Sequence, residues 1–243
     1  MSSFFRTVLT AIVVVVMTTI LGTIVIIGAL LRIPHRDGGL FDRMGRLWSR
    51  SLLWASGVRV QVHGRDRIVE GQPYIFASNH VSHFDILALV VALPQHYFVA
   101  KSELFKIPIF GPAIRAVGTI PIERTNQKAA FSSYTIAANR IRGGSSVVVF
   151  PEGTRGMSYP IRPFKKGPFV LAIQAGVPIV PCLVYGTIGV LPKKSLRIHP
   201  AHVTVHLLDP VPTAGLSYDE RDQLADTVHS HMAEAMTALY PHS

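Results

Sequence analysis

Apolar residues follow two regimes along this chain. From residue 8 to residue 31 the sequence has no ionisable side chain and is dominated by Val, Ile and Leu, bracketed by Arg6 and Arg32. Coiled as a helix at about 1.5 Å per residue, it reaches about 36 Å against a hydrocarbon thickness of about 30 Å, so it predicts a helix that spans a bilayer or lies deep in one. A cleaved secretory leader fits less well, because its apolar part covers only about 7 to 15 residues and ends in small residues. Here the tract runs on through Leu30 and Leu31 into Arg32. Residues 40–56 then place Phe41, Met44, Trp48, Leu52 and Ala55 at helical spacing, with Arg43, Arg46 and Arg50 on another face and Gly57 as the stop. Two readings stay open for this second helix: an interfacial helix with its apolar face in lipid and its arginines among headgroups, or a surface helix on a domain core.

Beyond Gly57 the period changes. Short β-rich runs at residues 58–62, 74–77, 97–100, 119–122, 146–150, 179–185 and 203–208 alternate with helical stretches at 82–93, 127–142, 166–175 and 218–239. That alternation predicts an α/β fold, a single domain with a largely parallel sheet flanked by helices. The expected division is a membrane-associated segment over residues 1–57 and a catalytic-sized domain over 58–243, with no internal repeat between them.

Composition narrows the partners. Hydrophobic residues make up 49% of the 243 and charged residues 16%, a balance that excludes a disordered tail and leaves apolar surface to be covered outside a water-soluble core. One cysteine, Cys182 in an apolar run, excludes a disulfide scaffold and fits a buried thiol in a reducing compartment. The net charge is +10, and before Arg32 its only ionisable contributor is Arg6. The basic excess therefore favours an anionic partner and, by the positive-inside rule, a cytoplasmic catalytic domain. Aromatic residues do not interleave with Lys and Arg as a base-stacking platform requires, so no nucleic acid is expected and lipid is the better partner.

Candidate chemistry gathers at predicted strand ends. After 74–77 come Ser78, Asn79, His80, Val81, Ser82, His83, Phe84 and Asp85, with Ser82 a plausible helix start. A turn ahead of that helix can fold His80 back onto Asp85, and an imidazole held by a carboxylate is a general base of fixed tautomer. In a chain with 11 histidines such spacing also arises by chance. A second strand end carries Phe150, Pro151, Glu152, Gly153, Thr154 and Arg155, where glycine allows close backbone approach and hydroxyl and guanidinium can hold a phosphate monoester, although a plain turn reads the same way. Gly118 to Arg124 delivers Glu123 and Arg124 to a third end, as a surface ion pair also would, and Lys101 with Glu103 follows the strand at 97–100.

These blocks, taken in order with Val177, Pro178, Ile179, Val180 and Pro181, make the sequence resemble the glycerolipid acyltransferase family. The resemblance implies transfer of a fatty acyl group from a thioester, acyl-CoA or acyl-ACP, to the free hydroxyl of a phosphate-bearing lysolipid such as lysophosphatidate. It implies no cofactor and no metal, and it places the reaction at the cytoplasmic face of the inner membrane, with acyl carrier protein as an eventual partner. It makes His80 the base and Asp85 its orienting partner. Lys101, Arg124 and Arg155 are then expected to hold the acceptor phosphate, and Glu152, Gly153 and Thr154 to shape that site. Block two departs from the family pattern, with Pro121 for the usual aromatic and Glu123 for the usual Asp.

The expected chemistry is direct attack on the thioester without an acyl-enzyme, since no Gly-x-Ser-x-Gly elbow occurs. Two rival readings stand beside it: a metal-dependent membrane hydrolase using His80, His83 and Asp85, and a non-catalytic headgroup-binding module. His199, His202 and His206 read as polar positions along a solvated strand, Pro200 opposing a common helical face.

Overall fold

The structure, a computed structural model, describes residues 3–122 and 127–241, and the side chains of these except 127–133. The apolar tract forms helix α1 (Ser3–Leu30), followed by α2 (Leu40–Ser56), which ends at Gly57 with φ 70°. The two lie antiparallel: Thr10 Oγ1 is 3.2 Å from Ser56 Oγ, Trp48 Nε1 donates to Thr18 Oγ1 at 3.0 Å, and a Cβ on Gly28 would stand 2.5 Å from Leu40 Cδ2. The start of α1 is also tied to the domain, where Ser3 Oγ donates to the Ile198 carbonyl and the Ile198 N–H donates to Thr7 Oγ1. Both ends of α1 therefore rest on protein, and its outer face presents Val8, Ile12, Val15, Ile20, Ile24 and Ile27.

In the second helix Phe41, Leu52 and Ala55 are buried by protein, whereas Leu47 and Trp54 stay exposed. Arg46 pairs with Asp42 at 2.9 Å and donates to the carbonyls of Val90 and Leu93. Helical period identified the face that turns inward, which α1 and the domain cover.

The domain contains β1 (Arg59–His63), β2 (Ile75–Ser78), α3 (Phe84–Ala92), β3 (His96–Lys101), α4 (Phe110–Ala116), β4 (Ile120–Ile122), α5 (Gln127–Arg142), β5 (Ser146–Val149), α6 (Gly167–Ala175), β6 (Ile179–Tyr185), α7 (Thr187–Val190), β7 (His202–Leu207) and α8 (Arg221–Leu239). Among the described residues the seven strands form one sheet in the order β1-β7-β6-β2-β5-β3-β4. Pairing is parallel except between β6 and β7, so β1 and β7 run against the other five strands. Alternation sorts each strand between two faces: Phe76 and Val148 join the core under α2 and α3, whereas Ile75, Ala77, Val147 and Val149 join the core under α5, α6 and α8. A fully buried side chain of this kind contributes about 1.5–3 kcal/mol, so the two cores lock the sheet from both sides. Helix α4 was not expected from the sequence; it packs against α1, where Gly22 lets Ile109 and Ala113 come close.

This topology sets β2 between β5 and β6, with the carboxyl ends of β2, β5, β3 and β4 along one edge. At the end of β6 stands Gly186, φ 93°, where an added Cβ would fall 2.1 Å from the His202 carbonyl oxygen. A Gly186→Ala variant is expected to lose about 2–4 kcal/mol through backbone strain and backbone overlap, lowering Tm by about 4–15 °C, as thermal unfolding in detergent would register.

Candidate active site

The chain leaves β2 at Ser78 and enters α3 at Phe84, and the intervening turn is built around one carboxylate. Asp85 is fully buried, and its Oδ2 accepts from the Val81 N–H at 2.7 Å, the Ser82 N–H at 2.8 Å and His80 Nδ1 at 2.9 Å. Its Oδ1 accepts from Thr187 Oγ1 at 2.5 Å. A first-turn carboxylate reaching back to the preceding N–H groups is half of a capping box, which is why the turn folds here. Ser82 marks the helix start as expected, one residue ahead of the assigned boundary: its hydroxyl oxygen accepts from the Phe84 N–H at 3.4 Å, its N–H donates to Asp85, and the hydroxyl donates to the Leu191 carbonyl.

The geometry fixes the imidazole. With Nδ1–H donated to the carboxylate, the lone pair sits on Nε2, and the ring lies against Phe150 at a centroid distance of 4.0 Å and 19°. His80 keeps 14% of its side chain exposed. The residue's backbone is clamped as well. Its N–H donates to Glu152 Oε1 at 2.8 Å, and its carbonyl accepts from the Gly156 N–H at 2.7 Å. Asn79, the neighbour on the strand side, pairs its amide with both backbone groups of Val184 on β6.

Glu152 belongs to this scaffold. Its second oxygen accepts from Arg162 Nε at 2.6 Å, and Arg162 also donates to the Thr154 carbonyl and, at 3.3 Å, to Thr154 Oγ1. The loop 152–156 is thus drawn over the His80 turn by one guanidinium. Arg155 and Gly153 lie in that loop; the Arg155 carbonyl accepts from Lys193 Nζ at 2.9 Å. His83 is held below its ordinary pKa, first by burial and then by the Arg155 guanidinium, and the Gly156 N–H bond to the His80 carbonyl brings the Arg155 backbone beside the His80 turn. Lys101 ends β3, two strands from β2, with its side chain exposed. Arg124 and Glu123 lie outside the described residues.

Behind Phe150, at the ends of β3, β4 and β5, is a cavity of about 100 Å³ lined by Val99, Ile122, Tyr134, Val149, Pro151 and Lys165 among others. Among the described residues no three His, Cys, Asp or Glu side chains form a group able to hold a metal, and the oxygens of Asp85 already meet protein donors. Cys182 is fully buried in β6, its thiol pushed up by burial and unsuited to nucleophilic work. His202 and His206 lie on β7, and His206 Nε2 meets the Tyr240 hydroxyl at 2.8 Å.

Sequence reasoning missed Thr187 and Arg162. Nothing local marks either: Thr187 meets Asp85 across 102 residues, and Arg162 lies in a loop of turn residues.

Comparison with known proteins gives the family and the fold. A family profile described as Acyltransferase matches residues 59–185. The 1-acyl-sn-glycerol-3-phosphate acyltransferase alpha of Ovis aries is 38% identical over 77% of this chain and 66% of its own length, and that of Homo sapiens 37% identical over 77% and 67%. This chain therefore spans about two thirds of the length of those curated relatives. In fold, it resembles the crystal structure of the 1-acyl-sn-glycerophosphate acyltransferase PlsC from Thermotoga maritima, with a TM-score of 0.81, 24% identity and coverage of 98% of this chain and 97% of that one.

A Thr187→Val variant would leave Asp85 Oδ1 without its donor inside the protein. It is expected to lose about 1–3 kcal/mol in urea unfolding, and Thr187→Ser to recover most of the loss.

Proposed function

The chain belongs to the acyltransferase family, in the group of 1-acyl-sn-glycerol-3-phosphate acyltransferases, and on that premise we propose that it moves a fatty acyl group from an acyl thioester to the free hydroxyl of lysophosphatidate, forming phosphatidate. The observation that carries this reading is the His80–Asp85 pair, held at 2.9 Å through Nδ1 so that Nε2 is left for the reaction. Nε2 takes the hydroxyl proton as that oxygen attacks the thioester carbonyl. The tetrahedral intermediate then collapses, the C–S bond breaks, and the imidazolium returns the proton to the leaving thiolate. No acyl-enzyme forms on this route.

Asp85 orients the ring and stabilises its charged form without leaving its other three donors. Glu152 shapes the site through the His80 backbone, and Arg155, Lys101 and Arg124 are the phosphate ligands of this reading. A forked guanidinium suits the doubly charged monoester of the acceptor. The apolar outer face of α1 supports membrane association, and the arginine excess after the tract supports a cytoplasmic position at the bacterial inner membrane. Coenzyme A and acyl carrier protein both remain chemically competent donors.

The test is acyl transfer from palmitoyl-coenzyme A to lysophosphatidate by detergent-purified protein, with phosphatidate and free fatty acid followed separately. Phosphatidate is expected from the wild type, and His80→Ala is expected to lose about 10²- to 10⁴-fold in turnover. Free fatty acid as the sole product would contradict the transferase reading. Arg155→Ala is expected to raise the acceptor KM by about ten- to a hundredfold with a smaller effect on kcat, as the loss of a charged hydrogen bond made equally in the ground and transition states.

A further inference from the structure

Between Glu152 and Asp209 the chain carries no acidic residue, and within this stretch the loop from Leu191 to His199 reads Leu, Pro, Lys, Lys, Ser, Leu, Arg, Ile, His. Its tip is unusual. Leu196 is 87% exposed, the highest value among the exposed large hydrophobic residues described, and it is flanked by Lys194 and Arg197. Exposing one leucine is ordinary. Here, however, the surrounding backbone is tightly held.

The base of the loop is pinned at several points. Leu191 N–H donates to the Thr187 carbonyl and its own carbonyl accepts from Ser82 Oγ; His199 N–H donates to the Val190 carbonyl; Lys193 Nζ donates to the Arg155 carbonyl. The tip is a hydrogen-bonded turn, with Ser195 N–H on the Pro192 carbonyl and Arg197 N–H on Ser195 Oγ. Lys194 takes φ 71° to make this turn, a conformation that L side chains adopt at a cost of about 1–2 kcal/mol. Ile198, two residues past the exposed leucine, is bonded through both backbone groups to Ser3 and Thr7 of α1. That end of α1 exposes Phe4 at 69% and Phe5 at 63%.

We propose that this loop is a second bilayer contact: Leu196 enters the headgroup region beside Phe4 and Phe5, and Lys194 and Arg197 engage anionic lipid phosphates. Continuity with α1 and the sign of the charge choose lipid as the occupant. An apolar tip with cations beside it is the arrangement in which the stem enters lipid while the charged heads stay at the phosphates. Because the base of the same loop touches Thr187, Ser82 and Arg155, the contact fixes the height and tilt of the site over the membrane surface. An acidic soluble protein would find the same charges, but its approach would have to avoid the apolar end of α1. The inference rests on the membrane association of α1 and not on the acyl-transfer reading.

A site-specific probe separates these outcomes without measuring turnover. In the full chain, Cys182 is buried and unreactive, so Leu196→Cys can be labelled with an environment-sensitive fluorophore, with Val69→Cys as the control near the amino end of β2. In vesicles of phosphatidylcholine and phosphatidylglycerol, the label at 196 is expected to shift to the blue. Lipids with a shallow nitroxide should quench it at least about two-fold more than the label at 69, as a tip about 5–10 Å into the interface requires. Adding Lys194→Gln and Arg197→Gln should reduce the phosphatidylglycerol dependence of quenching by about five-fold per cation removed. A label at 196 that remains in water and unquenched in both lipid compositions would overturn the proposal. So would a label that is shielded only when acyl carrier protein is added, which would assign the loop to a protein partner.

Discussion

A carboxylate taken out of water is tolerated only where donors replace its hydration, and Asp85 is the group on which the rest of this site depends. Its four partners come from three places: the turn after β2, the imidazole of His80 and the hydroxyl of Thr187 beyond β6. The local N–H groups make the turn, the hydroxyl ties that turn to a distant strand, and the remaining donor is the imidazole whose other nitrogen is the proposed base. Folding stability and tautomer choice are thus consequences of satisfying the same two oxygens. A second buried carboxylate repeats the principle one strand away, where Glu152 holds the His80 backbone and is itself held by Arg162.

The sheet explains why these groups meet. β2 lies between β5 and β6, so the turn carrying His80, the loop carrying Glu152 and the segment carrying Thr187 leave adjacent strands at the same edge. Ligand crevices in open α/β sheets lie at such carboxyl ends. The helical hairpin α1–α2 adds a long apolar helix that suggests membrane association. Helix α1 rests on the domain at both of its ends, with its outer face left apolar.

Much of this was legible in the sequence because the interactions are local. His80 and Asp85 lie five residues apart, and the strand, turn and helix pattern around them is written in consecutive residues. The strands at 146–150 and 179–185 and the helix at 127–142 were similarly marked by apolar period and by their flanking breakers. Other features depend on tertiary neighbours and had no local signal. Thr187 became part of the site only when β6 was laid beside β2, and Arg162 only when its loop folded back over Glu152. The inward face of α2 was legible and its covering was left open, since period says which residues turn inward but not what they turn toward. Helix α4, with Gly111 and Pro112 inside a short span, has too little period to announce itself. The reversed direction of β1 and β7 likewise follows from pairing partners rather than from strand composition.

The central claim is that Asp85 fixes His80 as the Nδ1–H tautomer with a free lone pair on Nε2. Imidazole ¹⁵N shifts measured at neutral pH, with the His80 signals identified by their loss in His80→Gln, test it most directly. The account predicts a protonated, pyrrole-like Nδ1 and a bare, pyridine-like Nε2 in the wild type, and loss of that fixed pattern in Asp85→Asn. A protonated Nε2 with a bare Nδ1 in the wild type, or a pattern unchanged by Asp85→Asn, would contradict it.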